Sequence, residues 1–320
     1  METQRNPPME MKGASHLGAL ATESLPMRVL RRLGRDDLAW TLRRLHVPID
    51  DHALVLEVGS GGNPFPRSNV LLDAYEVTRE RHYQPLTVDR PIVLGLVEDM
   101  PFRDDTFDFV IACHVIEHST DIGACLRELQ RVARAGYIEC PDAFFERINP
   151  YKDHRYEVTE RDGSLVTRRK LSWIGDREVV ELYERQVKPS KKWLGHLRQN
   201  PFAFHVRYYW SRDAGGIRHV DLTPAADRSA RFREEPQGQP PTVTGRTIRS
   251  RLNGMARTLL SQASRNREID LLPLLRCMSC HQSNLERSAD ELLCRDCGRR
   301  YAAEPTPRMF AKKEGVADGV

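Results

Sequence analysis

Residues 54–62 read Leu54-Val55-Leu56-Glu57-Val58-Gly59-Ser60-Gly61-Gly62. The apolar run is typical of a buried parallel strand, and the glycines after it favour a tight turn. Because glycine has no Cβ, a ligand can lie directly against the backbone of such a turn. Turns of this kind are common after strands, so the role of this stretch depends on the sequence that follows it.

Composition excludes several classes of protein. The 320 residues include 49 basic and 45 acidic side chains, a formal charge of +4 that is too small to indicate a polyanionic partner. No apolar run approaches the ~18 residues of a membrane span. The polar start of the chain also lacks the core of a signal peptide. We therefore expect a cytoplasmic protein that has no membrane partner.

Changes in composition divide the chain into segments. They are a flexible N-terminus at 1–24, an N-terminal helical segment at 25–50, a main domain at 51–233, a linker at 234–245, a basic amphipathic helix at 246–268 and a cysteine-rich module at 269–312. Between residues 25 and 45, apolar residues recur at helical spacing, which predicts one or two helices that pack on the main domain.

Short apolar runs recur through the main domain, with long connections between them. They cover residues 54–58, 70–72, 92–97, 109–112 and 137–140. This pattern predicts a parallel sheet between helices, an α/β fold. The clearest helix is 121–134, with Asp121 as its cap and Gly136 available at its end. Ligands of such sheets bind beyond the carboxyl ends of the strands.

Polar side chains follow four consecutive strands of this predicted sheet. They are Glu57, Asp73, Asp99, and the group His114, Glu117 and His118. One acid at a strand end is easily explained as a helix cap. Several acids beside one crevice would be uncompensated charges unless a ligand used them, so the pattern predicts a binding site.

Four motifs in this region resemble, in order and spacing, those of the class I S-adenosylmethionine-dependent methyltransferases of the small-molecule type. They are Leu54-Val55-Leu56-Glu57-Val58-Gly59-Ser60-Gly61, Val70-Leu71-Leu72-Asp73, Val97-Glu98-Asp99-Met100-Pro101-Phe102 and Phe107-Asp108-Phe109-Val110-Ile111-Ala112-Cys113-His114-Val115-Ile116-Glu117-His118. The resemblance covers about residues 50–142. It implies a Rossmann-like three-layer sandwich with a mostly parallel sheet, and S-adenosyl-L-methionine as cofactor.

The resemblance also implies how the methionine end of the cofactor is held. Gly59, Ser60 and Gly61 would cradle that end, with Glu57 near its ammonium group. Two features depart from the family pattern. Asn63 stands at the position of the third glycine, and the second strand begins so soon that the usual first helix can be at most a short turn.

The remaining cofactor contacts are implied in the same way. Asp73 would accept hydrogen bonds from the ribose hydroxyls, a task that suits a carboxylate because it only accepts. Asp99 would bind the exocyclic amino group of adenine, and Met100 would pack on the ring. His114 would lie where the fourth strand meets the cofactor and its methyl group.

The catalytic residues are less well defined by the sequence. His118, Asp142 and His154 are candidates for a general base. The stretch from His114 to His118 also spells the H-x-x-E-H pattern of a zinc peptidase class. That alternative needs the five residues inside one helix and a third ligand. The predicted strand before them and the cap at Asp121 make it the less favoured interpretation.

Beyond residue 142 the sequence corresponds to the variable substrate side of the family. Asp162-Gly163 between two short polar-apolar runs predicts a hairpin over 156–169. Residues 185–212 combine basic and aromatic side chains, a composition that suits contacts with RNA. The favoured interpretation of this stretch is a solvated basic helix followed by a strand, 205–210, that completes the sheet.

The most specific local signal is a pair of C-x-x-C turns, Cys277/Cys280 and Cys294/Cys297. Two such turns can place four thiolates around Zn²⁺ in a tetrahedron. The module resembles zinc ribbons similar to Trm112, which bind and activate methyltransferases. This resemblance implies a structural zinc, since the protein fills all four coordination positions.

Three hypotheses for function follow. The first is an enzyme that moves the methyl group of S-adenosyl-L-methionine to an oxygen or nitrogen of a small-molecule or glycan-type acceptor. The second is a tRNA or rRNA methyltransferase whose ribbon and basic segments hold RNA, which is possible but not favoured. The third is a non-catalytic partner protein with a methyltransferase fold.

Overall fold

The computed structural model describes residues 22–81, 83–233, 260–304 and 306–310 of the chain. Most of the predicted flexible N-terminus, the whole predicted linker and residues 246–259 of the predicted basic helix lie outside these ranges. Within them, no helix combines the length and apolar composition that a membrane crossing requires.

The described residues form twelve strands. In chain order they are β1 Val55–Val58, β2 Val70–Asp73, β3 Ile92–Leu94, β4 Phe107–Cys113, β5 Ala133–Pro141, β6 Tyr156–Arg161, β7 Ser164–Arg169, β8 His205–Ser211, β9 His219–Asp221, β10 Leu285–Ser288, β11 Glu291–Cys294 and β12 Arg300–Ala302. The α-helices are α1 Leu25–Arg32, α2 Asp36–Leu42, α3 Ile122–Val132, α4 Ala143–Ile148, α5 Arg177–Leu182, α6 Lys191–Gln199 and α7 Ala263–Arg267.

A six-stranded sheet organises the main domain, with the strand order β3-β2-β1-β4-β5-β8. The first five strands are parallel, and β8 pairs with β5 in the antiparallel sense. The order reverses between β1 and β4, which creates a crevice at the carboxyl edge. The predicted α/β, Rossmann-like fold with a mostly parallel sheet is confirmed.

Both faces of the sheet are covered because the strands are apolar on both sides. Alternate residues of β1 and β4, such as Leu56 and Val110, face a large core that includes the apolar stripe of α3. Their neighbours Val55 and Phe109 face a smaller core on the opposite side, closed by Phe65. Complete burial of each such side chain contributes about 1.5–3 kcal/mol to folding.

Two details of the predicted elements are wrong. Strand β3 ends at Leu94 rather than residue 97, because the chain turns at residues 97–98, where Leu96 and Asp99 form an isolated antiparallel bridge. Helix α3 passes directly into β5, so Gly136 lies in a strand and does not end the helix. A Cβ on Gly136 would lie 2.7 Å from Trp210 Nε1 and from Val110 O, so glycine is needed where β8 approaches β5.

The predicted N-terminal helices are present as α1 and α2, and a buried ion pair connects them to the sheet. Arg43, just after α2, donates from Nε and from a terminal nitrogen to the two oxygens of Glu139, both at 2.7 Å. The side chains are 10% and 0% exposed. Tyr137 also donates to Glu139. The pair therefore ties the N-terminal segment to β5.

The C-terminal module packs at the β3 side of the sheet. Strands β10, β11 and β12 form an antiparallel sheet, and Leu292 and Tyr301 belong to the same hydrophobic core as β1 and β4. Residues 306–310, which we term the edge segment, run beside β3. There Leu94 N donates to Pro307 O and Met309 N donates to Leu94 O, each at 2.8 Å. The edge segment thus covers the exposed edge of β3.

We expect Arg43→Met to lower the free energy of unfolding by about 3–5 kcal/mol, because it leaves the carboxylate of Glu139 buried without its counter-ion. Urea unfolding followed by circular dichroism measures the change. Arg35→Met is the matched control, since Arg35 pairs with Asp37 on the exposed surface. Equal stability of the two variants would contradict the role assigned to Arg43.

Candidate active site

A cavity of about 990 Å³ opens at the carboxyl edge of the parallel sheet. Its walls come from the turn after β1, the end of β2 and the loop after it, residues 95–98 after β3, the end of β4 with the turn after it, and the C-terminal module. This is the crevice in which a sheet of this topology binds ligands.

The glycine turn after β1 forms the floor of the cavity. Gly59 and Gly61 line it and have φ angles of +62° and +57°, in the left-handed region that favours glycine. A Cβ on Gly59 would lie 2.4 Å from Val115 Cγ2. The turn therefore needs glycine both for its conformation and for its contact with the residue after β4.

Asp73, the last residue of β2, lies next to this turn. Its carboxylate accepts from Gly61 N (3.0 Å) and Tyr75 N (3.2 Å) and forms an ion pair with Arg81 at 3.1 Å. These donors hold the acid in place at the cavity wall. Its oxygens have room for further donors, because an ionised carboxylate offers about four acceptor sites.

His114 stands at the end of β4 and lines the cavity with a 42% exposed side chain. Its φ of +57° is a strained value for a residue with a side chain. Its ring nitrogens lie 3.3 Å from Glu117 Oε1 and 3.8 Å from Glu139 Oε1. Burial lowers the pKa of His114, but the two carboxylates outweigh this effect, so the pKa is raised overall.

The two acids beside His114 are ionised. Burial alone would raise the pKa of Glu139, but Arg43, His114 and Tyr137 lower the pKa to about 2. Burial likewise opposes ionisation of Glu117, whose pKa falls to about 2 through interaction with His114 and the charges of neighbouring histidines. The end of β4 therefore places His114 beside two ionised acids, of which Glu139 is also paired with Arg43.

Several predicted cofactor contacts do not line the cavity. Glu57 is buried and accepts from Phe65 N at 2.7 Å, so its carboxylate belongs to the protein interior. Asp99 bonds with Arg276 at 2.8 Å, and Met100 is fully buried in the core. This placement speaks against direct contact of these three side chains with a ligand here. Ser60 lies within the turn, its Oγ buried and without a hydrogen-bond partner.

Of the three candidate bases, only His118 reaches the cavity. Burial lowers its pKa to about 4, so the ring is neutral at pH 7. Asp142 instead caps α4, accepting from Phe144 N (2.8 Å) and Thr159 Oγ1 (2.6 Å). His154 is buried against Glu146. Residues 116–118 form a turn rather than a helix, which rules out the helical H-x-x-E-H geometry of the peptidase class.

The C-terminal module forms one wall of the cavity. Arg299, Arg300 and Tyr301 line it, together with Arg308 and Phe310 beyond them. Arg300 and Arg308 form ion pairs with Glu291 and Glu76, both at 3.0 Å. Nothing in the sequence indicated that these residues line a cavity, because the C-x-x-C turn before them points only to zinc binding. Glu80, Arg81 and Glu98 were missed in the same way, since each lies in a loop whose path depends on tertiary contacts.

The four cysteines of the module converge as the spacing predicts. Their sulfurs lie within 4.8 Å of one another, and the pairs Cys277/Cys297 and Cys280/Cys294 are each 3.6 Å apart. A tetrahedral zinc with Zn–S bonds of about 2.3 Å would set the sulfurs about 3.8 Å apart. The cluster fits a zinc ion.

Comparison with known proteins agrees with this fold. A family model described as "Methyltransferase domain" matches residues 68–138, from before β2 into β5. The chain is also similar to the uncharacterized protein YafE of Escherichia coli (strain K12), with 43% identity over 42 residues, which are 13% of this chain and 20% of YafE. The chain thus spans about a fifth of the length of that curated relative.

Solved structures give weaker matches. A SAM-dependent methyltransferase from Thermotoga maritima is 18% identical, with 41% of this chain and 72% of that chain covered and a TM-score of 0.30. A chain from the complex of the Haloferax volcanii Trm112 methyltransferase activator with a methyltransferase is 18% identical, with 57% and 93% covered and a TM-score of 0.31. The function is therefore inferred from the residues that line the cavity.

We expect Gly59→Ala to be less stable than Gly34→Ala by about 1–3 kcal/mol, because only the first adds a clash to the strain of a positive φ. Gly34 is a matched control, with a φ of +68° and no atom within 4 Å of the position that an added methyl group would take. Thermal unfolding of both variants measures the difference. Equal melting temperatures would show that the contact of the turn with Val115 is not tight.

Proposed function

We propose that this protein is an S-adenosyl-L-methionine-dependent methyltransferase that acts on an oxygen or nitrogen of a small-molecule or glycan-type acceptor. One observation carries the proposal. The left-handed glycine turn after β1 and the carboxylate of Asp73 at the end of β2 face the same cavity at the point where the strand order reverses.

The residues present fit the chemical groups of this cofactor. The turn at Gly59 and Gly61 offers close backbone approach to its amino-acid end. Asp73 offers acceptor oxygens to a ribose diol, and Leu96 and Val97 offer an apolar surface to an aromatic base. When bound, the cofactor supplies an electrophilic methyl group on a sulfonium.

The chain itself would contribute mainly by positioning. Holding two reactants in line can supply about 7–11 kcal/mol of the barrier to a displacement reaction, so a dedicated base is not required. His114 lies at the end of β4 within reach of the cavity, and the ionised Glu117 and Glu139 fix its ring. His118, the one candidate base that lines the cavity, stands beside the path by which an acceptor would enter.

Four of the six aromatic side chains of residues 185–212 support a small acceptor over RNA. Phe204, Tyr208 and Trp210 are buried, and Tyr209 packs on Tyr137 with ring centroids 4.4 Å apart. These rings complete the sheet, so they are not exposed platforms on which bases could stack. The arginines of the C-terminal wall would instead suit an acceptor that carries an anionic group.

We infer a structural role for zinc at the four cysteines. The ion would hold together a module with few core residues of its own, and the module in turn holds Arg299 and Tyr301 at the cavity. This arrangement is similar to an activator fused to its methyltransferase.

The cofactor assignment predicts a ligand-dependent melting temperature. S-adenosylhomocysteine at ~100 times its Kd should stabilise the wild type by ~2.7 kcal/mol. Asp73→Asn should lose most of this shift because the ribose loses its charged acceptor. Asp213→Asn, an exposed change just after β8 at the opposite edge of the sheet, should keep it. No shift in the wild type, or an equal shift in both variants, would refute the assignment.

Turnover is checked with the same protein. Incubation of labelled S-adenosyl-L-methionine with fractionated cell extract should move the label into low-molecular-weight or glycan material. Label in material that ribonuclease degrades would identify an RNA acceptor. Cofactor binding without transfer to any fraction would favour a non-catalytic partner protein.

Loss of the zinc site should affect both stability and cofactor binding. We expect Cys294→Ser to lower the melting temperature and to weaken S-adenosylhomocysteine binding at least tenfold, because the wall that includes Arg299 and Tyr301 loses its support. Ser288→Ala, an exposed change on β10, is the control. Calorimetry at a temperature where both variants are folded makes the comparison. Unchanged affinity in Cys294→Ser would show that the zinc-bound module does not support the cofactor site.

A further inference from the structure

A second cluster of metal-ligating side chains lies under the cavity wall, away from the four cysteines. Ligand atoms of Glu117, His118 and His154 all lie within 4.8 Å of one another. The first two come from the turn after β4, and His154 comes from the loop before β6. The sequence showed the H-x-x-E-H pattern but no third ligand, and the fold brings His154 to it.

Three side-chain atoms of this cluster lack hydrogen-bond partners. The Glu117 side chain is 1% exposed, and neither of its oxygens accepts a hydrogen bond. The buried Nδ1 of His118 also has no partner. His114 lies at ion-pair distance from one Glu117 oxygen and can balance its charge, but it leaves the other atoms unsatisfied. Unpaired buried polar atoms are costly, so a cation among them would remove a penalty.

His154 is oriented as metal-bound histidines are. Its Nδ1 lies 2.8 Å from Glu146 Oε2, and Lys170 Nζ donates to the other Glu146 oxygen at 2.5 Å. A hydrogen bond between Nδ1 and Glu146 leaves Nε2 of His154 free, and Glu117 Oε1 lies 4.0 Å from that nitrogen. A carboxylate that fixes the far nitrogen of a histidine is the usual second layer of a metal site.

A competing cluster of Cys113, His114 and Glu139 is a poorer site. Arg43 occupies both oxygens of Glu139, and Tyr137 donates to one of them as well. Burial also raises the pKa of the Cys113 thiol well above its usual value, which opposes formation of the thiolate that a metal needs.

We propose that Glu117, His118 and His154 bind a divalent transition-metal ion with coordination positions open toward the cavity. Two imidazoles and one carboxylate suit Zn²⁺, Fe²⁺ or Mn²⁺ and leave room for an oxygen ligand. His118 and Glu80 both line the cavity, and Glu80 Oε2 lies 3.9 Å from His118 Nδ1. An acceptor in the cavity can therefore reach the ion.

This site would define the class of acceptor, an inference that rests on the proposed function. A metal ion at the cavity wall selects molecules that offer it an oxygen, such as a hydroxyl or carboxylate group, and holds that oxygen beside the cofactor. Apolar amines without such an oxygen would be poorer acceptors.

Zinc stoichiometry tests the site without any activity measurement. The full chain is equilibrated with zinc chloride, exchanged into volatile buffer and weighed by native mass spectrometry. Wild type should carry two zinc ions, one at the cysteines and one at the new site. His154→Gln and Cys294→Ser should each carry one. His52→Gln, which changes an exposed histidine outside the cluster, should carry two.

A titration with zinc measures the supporting role of Glu146. Glu146→Gln keeps all three ligands, so the second zinc should still bind, with an affinity about 10–100-fold weaker. Circular dichroism checks that each variant is folded. His154→Gln is the main test because His154 lies in the loop before β6, outside the turn that carries Glu117 and His118. One zinc in the wild type, or two in His154→Gln, would overturn the site.

The melting experiment with S-adenosylhomocysteine separates this inference from the proposed function. Two zinc ions without a cofactor-induced shift would leave the metal site standing and refute the methyltransferase. A normal cofactor-induced shift with a single bound zinc ion would support the methyltransferase and refute the metal site.

Discussion

Compensation of buried negative charge at the carboxyl edge of the sheet is the constraint on which the rest of the structure depends. The parallel strands carry Asp73 and Glu139 at or near their carboxyl ends, and both side chains are buried. An ionised carboxylate in such a place is tolerated only with a partner. The partner of Glu139 is Arg43, which belongs to the segment before the sheet, and that of Asp73 is Arg81, in a loop. Segments that look peripheral in the sequence are therefore held by the charges of the central strands.

The same principle connects the C-terminal module to the cavity. Arg276 donates to Asp99 and Glu128 and to the carbonyl of Met100, so the start of the module is fixed to the loop after β3. Backbone pairing of the edge segment with Leu94 fixes its end. Between these two attachments the chain has to pass the mouth of the cavity, which explains why ribbon residues form one of its walls.

The sequence predicted what depends on local pattern. The strands, helix α3 with its cap at Asp121 and the hairpin of β6 and β7 follow from periodicity and turn chemistry, as does the convergence of the cysteines. Contacts between distant segments were not predictable, because spacing carries no information about them. Asp99 was expected at the cofactor, yet the nearby Glu98 reaches the cavity, since Arg276 draws Asp99 away. The proximity of His154 to Glu117 likewise arises only from the tertiary fold.

The cavity wall that includes Arg299, Tyr301 and Phe310 also sets an order of events during synthesis. Ribosomes make the strands that carry the glycine turn and Asp73 early, and domains tend to fold as they emerge. The cavity, however, gains its last wall only after residue 310 has left the exit tunnel, because the edge segment is the final described part of the chain. A nascent chain thus carries every strand of the six-stranded sheet before it carries the residues that complete the pocket. Products terminated before residue 299 would lack this wall.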